Sequence, residues 1–493
     1  MEIERSRDRV DSFLTELTYE LYQAQAGLKD EAKVGHIYDR YSDLFDLDSF
    51  MRLSQPWEGE QEGEKSKSRR FLREFAGLGY LDYQGRDLEE RILNEEARAT
   101  VVDPVQGRIP FRLSFVKLRD QANRHYREDL AREQLAVMAR LESLFAERED
   151  RFAEGAGCLG FPSYPSAIES MSPVDLEELR QAAKKFLEQT ADIYRENLSW
   201  FLGKRLQLKL GQAKKHDLDF LFRSQEFDQF FHKHDLLPRV ENFVSQMGFS
   251  LTGEGRIHFD LEPRPLKTAR AFCAPVRVPG EIYLTVLPTG GYQFYRDFLH
   301  ELGHALHYAY LDEELPVEFR RLGDASVTEA FAFVFDHIML EPVGLAIGFK
   351  TKAQPDMVRF FQLGQLCLLR RYFGKLIYER ELRSNVELKG KDILYQDILT
   401  EATLVTYPKE SYLYDIDPHF YTARYLRAWM LEAALYYYLR DNYDQDWFRC
   451  PEAGDFLRLL FREGQRFTGE EIAQRLGSQL DLALLVQRAC HFL

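Results

Sequence analysis

The most informative stretch of the chain is FLHELGH, Phe298–His304. It follows Gly280–Val286 (GEIYLTV), whose alternating apolar residues and β-branched side chains predict a strand. Between the two, Pro288–Gly291 (PTGG) has the composition of a turn. Apolar residues then recur at helical spacing through the FLHELGH motif. The sequence therefore predicts a strand, a turn and a helix in direct succession.

Helical spacing of apolar residues also dominates most of the remaining chain. It predicts helices within residues 9–55, 113–150 and 173–205. The most polar stretch, Pro56–Arg70, predicts a solvated loop. We expect one further, weaker strand at Ala274–Val278. The predicted fold class is mainly α, with a small antiparallel β element beside the helix that carries FLHELGH.

Composition excludes several kinds of protein. The chain has 493 residues, of which 45% are hydrophobic and 29% charged, so wholesale disorder is excluded. Lys and Arg number 65 against 80 Asp and Glu, which gives a net charge of −15. Nucleic acid and anionic membranes would repel such a chain, and we therefore predict neither as a partner.

Cysteine usage and the absence of apolar segments predict a cytoplasmic location. The five cysteines are scattered, odd in number and without CxxC spacing, which is typical of a reducing compartment. The charged start of the chain lacks the apolar core of a signal peptide. No segment reaches the roughly 18 apolar residues that a membrane-spanning helix needs.

The FLHELGH motif predicts a metal site. His300 and His304 are four residues apart, so they share one helix face and can reach the same ion. Glu301 follows the first histidine, where it can contact a water on the metal rather than the metal itself. Zinc suits imidazole and carboxylate ligands, and a catalytic site keeps one position open for water. The alternative is a chance occurrence of HExxH in a helical protein.

A third ligand is needed, and Glu329 is the candidate. It lies 25 residues after His304, in the predicted helix GDASVTEAFAFVFDHI. This distance allows one helix, a turn and a returning helix whose first turn faces the metal. The alternative is that Ser326 and Glu329 form a capping box, in which Glu329 bonds only a backbone amide.

Taken together, these motifs resemble the thimet oligopeptidase and oligoendopeptidase F family of zinc metallopeptidases. The resemblance rests on HELGHALH at His300–His307 and on a helix containing Glu-Ala that begins about 25 residues later. Three further segments resemble the family, namely GFPSYPSAIE at Gly160–Glu169, KTARAFCAPVRVPGEIYLTVLPTGG at Lys267–Gly291, and PHFYTARY at Pro418–Tyr425. The resemblance covers about residues 155 to 440.

The resemblance implies a fold and a domain organisation. It implies a multi-helix ellipsoid split by a deep substrate channel, with the zinc on the channel floor. On this basis residues 151–493 form the catalytic core. Residues 1–150 match the family only as helices and are expected to cover the channel.

The resemblance also implies roles for individual residues. His300, His304 and Glu329 would bind one zinc ion per chain, with Glu301 as the catalytic acid/base. A downstream histidine and tyrosine would stabilise the tetrahedral intermediate, which His419 and Tyr425 match.

Tyr421 is the other candidate for the tyrosine in that segment. The thimet-type pattern has one more tyrosine three residues after Tyr425, where this chain has Ala428. This departure leaves open which tyrosine stabilises the intermediate.

A second similarity raises an alternative function. LPVEFR at Leu315–Arg320 and the pair Arg424-Tyr425 are similar to stretches of angiotensin-converting enzyme, a dipeptidyl carboxypeptidase. A zinc carboxypeptidase or dipeptidyl carboxypeptidase could use Arg424 to hold the carboxylate at the substrate's C-terminus. A catalytically silent peptide-binding or scaffold protein with this fold is the non-enzymatic alternative.

The predicted function is a soluble zinc metallopeptidase that hydrolyses oligopeptides, acting as an endopeptidase. Glu301 would take a proton from the attacking water and pass it to the leaving nitrogen. A phenol such as that of Tyr425 would stabilise the carbonyl oxygen as it gains charge. If the strand at Glu281–Val286 is an edge, it could also pair with an extended peptide.

Three residues near the motif have plausible structural roles instead. His307 is expected to be packed or exposed rather than a ligand. Asp336 and Asp297 could each orient a zinc-binding histidine, but ordinary salt bridging explains them equally well.

Overall fold

Helices form most of the structure, which confirms the predicted mainly α fold. The computed structural model describes residues 2–56, 63–352, 354–385 and 387–493. Within these ranges the α-helices are α1 Glu2–Gln25, α2 Val34–Arg40, α3 Leu47–Ser54, α4 Glu64–Arg98, α5 Phe111–Asp120, α6 Arg124–Cys158, α7 Tyr164–Met171, α8 Leu176–Gln189, α9 Ala191–Phe201, α10 Lys215–Phe222, α11 Leu236–Gln246, α12 Gly291–Tyr310, α13 Val317–Arg320, α14 Ala325–Asp336, α15 Pro355–Leu382, α16 Lys391–Thr403, α17 Tyr421–Tyr443, α18 Pro451–Arg462, α19 Gly469–Arg475 and α20 Leu482–Cys490. None of these helices combines the length and apolarity needed to cross a bilayer.

The strands form two small sheets. A hairpin joins β1 Thr100–Asp103 to β2 Gly107–Pro110. The second sheet contains β3 Ile257–Asp260, β4 Phe272–Arg277 and β5 Glu281–Thr285 in the order β3-β5-β4. The hairpin was not predicted, because strands of four residues give too short an alternation to recognise.

The three-stranded sheet confirms part of the prediction and corrects another part. β4 and β5 pair antiparallel, as expected, and β5 leads directly into α12. β5 also pairs in parallel with β3, so it is the central strand. Its backbone groups are therefore used on both sides, and the condition for its pairing with a substrate, that this strand is an edge, is not met.

Helix boundaries differ from the prediction where capping side chains interrupt the apolar pattern. The predicted helix at 113–150 is two helices, because the Asn123 side chain accepts a hydrogen bond from the backbone of Tyr126 and starts α6. The predicted helix at 173–205 begins only after Asp175, which caps α8, and it breaks at Thr190.

The predicted loop at 56–70 is shorter than expected. α4 begins at Glu64, so residues 64–70 are helical and only the polar stretch before them remains as a candidate loop. Residues 57–62 of that prediction lie outside the described residues.

Helix α4, near the start of the chain, bonds to residues at the start of α17. α6 runs through residue 150, where the predicted domain boundary falls, and the division into two parts stays a prediction.

Two side chains of α4 bond to residues at the start of α17. Glu74 accepts a hydrogen bond from Arg424 at 2.5 Å, and Asp82 lies 2.8 Å from His419 Nε2.

Candidate metal centre

The entry into α12 depends on two glycines. Gly290 and Gly291 both have positive φ angles, 76° and 87°, which residues with a side chain rarely adopt. A Cβ at Gly291 would lie 2.4 Å from Asp228 Oδ1. The turn after β5 therefore requires glycine here, and it directs α12 back across the sheet.

A third glycine brings a second helix against α12. A Cβ at Gly303 would lie 2.6 Å from the Cα of Ala332 in α14. Because Gly303 has no side chain, the backbones of α12 and α14 approach closely at the position between His300 and His304. This approach brings Glu329, one turn before Ala332, to the histidines.

His300, His304 and Glu329 form one compact group. Glu329 Oε2 lies 3.4 Å from Nε2 of each histidine. Candidate ligand atoms of the three residues all lie within 4.8 Å of one another. The sequence spacing thus correctly predicted that these side chains come together.

The capping alternative for Glu329 is not what the structure contains. The side chain of Asp324, not Ser326, caps α14 by accepting from the Ser326 backbone at 3.0 Å. Glu329 is instead turned towards the histidines. Aspartate is a common N-cap residue, so the sequence also allowed Asp324 to cap this helix. The pattern Ser-x-x-Glu favoured Ser326 instead.

Residues of α14 hold the outer nitrogen of each histidine. His304 Nδ1 lies 2.9 Å from Thr328 Oγ1, and His300 Nδ1 lies 3.4 Å from Asp336 Oδ2. These contacts leave both Nε2 atoms facing Glu329. Asp336 also pairs with the buried Arg296 at 3.3 Å, so it has both of the roles considered for it. The role of Thr328 was missed, because threonine beside a predicted ligand carries no distinct signal.

The electrostatics of the group favour positive charge at its centre. Burial alone would raise the pKa of Glu329, but His304 and His300 lower the pKa well below its usual range. Burial alone would lower the pKa of His300, but Asp336 and Glu329 raise it well above its usual value. Oε2 of Glu329 is buried and has no hydrogen-bond partner among the described residues.

Glu301 lies beside this group and is accessible to solvent. Its side chain is partly exposed, and no hydrogen bond or ion pair in the described part of the chain engages its carboxylate. Burial raises its pKa, against the opposing effect of His300 and His304. Side chains of the two histidines are 18% and 12% exposed, so water can reach the group.

The two candidate tyrosines differ in what their hydroxyl groups contact. Tyr421 donates to Glu329 Oε1 at 2.8 Å. Tyr425 is one helical turn later, with its ring 5.1 Å from that of Tyr421. Within the described residues no hydrogen bond engages the Tyr425 hydroxyl, and burial, with a smaller effect of the Glu329 charge, raises the pKa of this tyrosine.

His419 does not contact the metal-binding group in this structure. Its Nδ1 lies 2.9 Å from the hydroxyl of Tyr164, and its Nε2 lies 2.8 Å from Asp82 Oδ1. His419 and Phe420 both have left-handed backbone, with φ of 52° and 53°. Both ring nitrogens thus serve to hold a strained turn just before α17.

Arg424 and His307 are both buried, and their burial decides between the roles considered for them. Arg424 is buried and bonded to Glu74, so the suggestion that it holds a substrate carboxylate is wrong. His307 is fully buried between aromatic rings of Phe331 and Phe461, and burial lowers its pKa to about 3. The expectation that it is packed rather than a ligand is confirmed.

Asp297 accepts a hydrogen bond from the Gln293 side chain at 2.6 Å.

With this geometry established, the chain can be compared with known proteins. Its fold is similar to that of a solved structure, the "Crystal structure of a putative oligoendopeptidase F from Bacillus anthracis str. Ames". The TM-score is 0.64, and the match covers 97% of this chain and 88% of that chain at 12% sequence identity. No protein-family model and no curated protein matches the sequence.

At 12% identity the similarity establishes the fold alone. It confirms a mainly α fold of the kind that the sequence motifs implied. Membership of the family and the similarity to angiotensin-converting enzyme stay predictions from the motifs. The roles of the site residues therefore have to be argued from the site itself.

Proposed function

We propose that this chain is a zinc-dependent peptidase that hydrolyses oligopeptides, with His300, His304 and Glu329 as the zinc ligands. The observation that carries the proposal is the position of Glu329 Oε2, which is buried 3.4 Å from two histidine nitrogens and accepts no hydrogen bond within the described part of the chain. A buried carboxylate oxygen without a hydrogen bond is costly unless a cation balances it.

The donor set fits zinc. Two imidazole nitrogens and one carboxylate oxygen are a ligand set found in catalytic zinc sites, which leave a further position open. The contacts of the outer histidine nitrogens with Thr328 and Asp336 of α14 match the support that zinc-binding histidines need. A zinc ion bound here would supply Lewis acidity and lower the pKa of a bound water towards about 7.

The surrounding residues supply the remaining chemistry of peptide hydrolysis. Glu301 is unengaged and next to the first histidine, so it can accept a proton from the attacking water. It then delivers that proton to the leaving nitrogen. The free hydroxyl of Tyr425 donates to the carbonyl oxygen as negative charge develops there.

Endopeptidase action is favoured over carboxypeptidase action through Arg424. Arg424 is buried against Glu74 and cannot reach a substrate without breaking that pair. We also propose that the first 150 residues restrict access to the site, since α4 bonds to both Arg424 and His419. Such a restriction would select substrates by length rather than by one side chain.

The test is to incubate purified protein with a defined mixture of peptides and identify the products by mass spectrometry. We expect internal cleavage that a chelator abolishes and added zinc restores. Glu301→Gln, which keeps the ligands, is the matched control and should form products about 10²–10⁴-fold more slowly. Cleavage that persists in the chelator, or a native rate in Glu301→Gln, would contradict the proposal.

A second arm separates the two peptidase alternatives. Peptides with a free and with an amidated C-terminus are compared at equal length and sequence. An endopeptidase cuts both at internal bonds, whereas a carboxypeptidase requires the free terminus. Release of only C-terminal residues or dipeptides would favour the carboxypeptidase.

A further inference from the structure

A buried carboxyl group in the last turn of α15 supports the turn that leads into α17. Glu379 is fully buried. Its Oε1 accepts a hydrogen bond from the backbone amide of Asp417 at 2.8 Å. The same oxygen lies 3.0 Å from Oγ1 of Thr422, which is in the first turn of α17. These contacts join α15 to both ends of the turn formed by residues 418–420.

The turn held in this way fixes the position of the two candidate tyrosines. Within it, His419 and Phe420 have left-handed backbone, a conformation that persists only where the surrounding structure holds it. The next residue is Tyr421, whose hydroxyl donates to Glu329, and Tyr425 follows one helical turn later. A shift at the start of α17 would therefore move both hydroxyl groups relative to the candidate metal ligands.

The contacts of Thr422 require a proton on one of two carboxyl groups. Its Oγ1 lies 3.0 Å from Glu379 Oε1 and 2.8 Å from Asp417 Oδ2. A hydroxyl has one hydrogen and can donate it fully to only one of these oxygens. The other contact becomes a full hydrogen bond when that carboxyl group is protonated and donates to Oγ1. If both groups were charged, two negative charges would instead share one hydroxyl in a buried site.

Neighbouring charges favour this proton on Glu379 rather than on Asp417. Lys375 Nζ lies 2.9 Å from Asp417 Oδ2 but 3.9 Å from Glu379 Oε1, so the ammonium group stabilises the charged form of Asp417. Arg383 is bonded to Glu149 at 2.7 Å, and its Nη1 is 3.6 Å from Glu379 Oε2. That oxygen is buried and makes no hydrogen bond to the described residues.

The charged and titratable groups around Glu379 agree with a bound proton near neutral pH. Burial raises the pKa of Glu379 to about 7, with Lys375 and Arg383 opposing this effect and Asp417 adding to it. The groups that face this carboxyl are Lys375, Tyr378 and Arg383 in or beside α15, Asp417 in the turn, and, beyond Arg383, Glu149 of α6 and Tyr164 of α7.

We propose that Glu379 is a positioning residue whose protonated carboxyl group, bonded to Thr422 and Asp417, holds the start of α17 so that Tyr421 and Tyr425 reach the metal site. This inference rests on the proposed function and adds a pH-dependent control of the same site. When the proton leaves to solvent, repulsion between the two carboxylates loosens the turn. The stabilising effect of the proton is complete below about pH 4.5, the ordinary pKa of glutamate, and is lost as the pH rises through the folded pKa of about 7.

The first experiment follows the turn itself and depends on neither metal nor activity. Hydrogen–deuterium exchange of the backbone amides of residues 415–423 is measured by mass spectrometry between pH 5 and 8, with correction for the intrinsic effect of pH on exchange. Wild type is compared with Glu379→Gln, whose amide group keeps an acceptor and a donor at every pH. We expect equal protection at pH 5 and at least about 10-fold lower protection in wild type at pH 8. Equal protection at pH 8 would overturn the proposal.

The second experiment asks whether the turn controls the site. Zinc Kd is measured at pH 6 and pH 8 by competition with a chelator. Because Tyr421 supports a candidate ligand, the two proteins should bind zinc equally at pH 6, and wild type should bind it about 10-fold more weakly at pH 8. Its kcat for peptide cleavage should fall relative to Glu379→Gln over the same pH range. Equal zinc affinity and equal kcat at pH 8 would overturn the positioning role.

A matched pair of variants tests the hydroxyl between the two carboxyl groups. Thr422→Val keeps the shape of the side chain and removes that hydroxyl, so protection and zinc affinity should fall at pH 6 as well as at pH 8. Thr403→Val is the control, because Thr403 is equally buried but its hydroxyl donates to a backbone carbonyl, that of Leu399, at 2.7 Å. It should equal wild type in both measurements. An equal loss in Thr403→Val would indicate a general effect of packing and overturn the proposal.

Failure of the proposed function is distinguishable from failure of this inference. If wild type cleaved no peptide at any pH, the peptidase proposal would fail. Hydrogen exchange would still decide whether Glu379 holds the turn, and zinc affinity would still decide whether the turn acts on Tyr421 and Glu329.

Discussion

Replacing Tyr421 and Tyr425 separately by Phe should damage two different properties of the site. Both changes remove one hydroxyl and keep the ring. Both residues are on α17, four apart, with their rings 5.1 Å from each other, so each variant controls for the other. The structure predicts that Tyr421→Phe weakens zinc binding, whereas Tyr425→Phe slows catalysis.

The expected loss for Tyr421→Phe follows from its hydrogen bond. Its hydroxyl donates at 2.8 Å to Glu329, which is only 4% exposed. A hydrogen bond to a charged group contributes about 1.5–3 kcal/mol, and about 1.4 kcal/mol corresponds to a tenfold change in Kd. We therefore expect zinc affinity to fall about 10- to 100-fold, in the range known for residues that support a metal ligand.

The expected loss for Tyr425→Phe falls on kcat instead. Its hydroxyl has no partner among the described residues and is free to donate to the substrate. Loss of one oxyanion donor reduces kcat by about 10²–10³. If that donor acts only in the transition state, KM changes little, and zinc affinity should equal that of the wild type.

The assay measures both properties on the same preparations. Zinc Kd is determined by competition with a chromophoric chelator, and kcat and KM by cleavage of an internally quenched peptide at saturating zinc. A reversed pattern, with Tyr421→Phe losing kcat and Tyr425→Phe losing zinc, would refute the assignment of the two hydroxyl groups. An unchanged kcat in both variants would remove tyrosine from the mechanism.

Three further changes test the site and its support. Glu301→Gln should keep zinc content, measured by metal analysis, and reduce kcat by about 10²–10⁴ because the side chain no longer accepts a proton; a native rate would contradict this. Glu74→Ala should reduce the free energy of unfolding in urea by about 3–5 kcal/mol, because it leaves Arg424 buried and unpaired; an unchanged urea midpoint would show that the pair is not needed. Burial raises the pKa of Glu379 to about 7, so the folded state keeps a proton that the unfolded chain loses above about pH 4.5. Stability should therefore fall between pH 5 and 8 by up to about 3 kcal/mol, and the fall should be absent from Glu379→Gln; equal pH dependence in both proteins would refute it.

The part of the site that could be predicted from sequence is the part set by local geometry. A separation of four residues on one helix fixes His300 and His304 on the same face, whatever surrounds them. Glu329 needed more than spacing, because its segment also fits a capping box. Its orientation is decided by the close approach at Gly303 and by Asp324, which caps the helix in its place.

The fold was predictable at the level of class but not of pairing. Helical periodicity over long stretches identified most helical regions, but capping side chains such as Asn123 divide some of these regions into separate helices. The central position of β5 could not be predicted, since its partner β3 has four residues and lies more than 20 positions earlier. Whether a strand is an edge depends on such distant pairing and not on its own sequence.

Two residues that the sequence predicted to contact substrate have structural roles instead, because their partners lie hundreds of residues away in the sequence. His419 and Arg424 occur in a motif that implied contact with substrate, yet they bond to Asp82 and Glu74, which are 337 and 350 residues away. A motif alone therefore cannot distinguish a side chain that acts on a substrate from one that stabilises the fold, because the distinction depends on partners that are far away in the sequence.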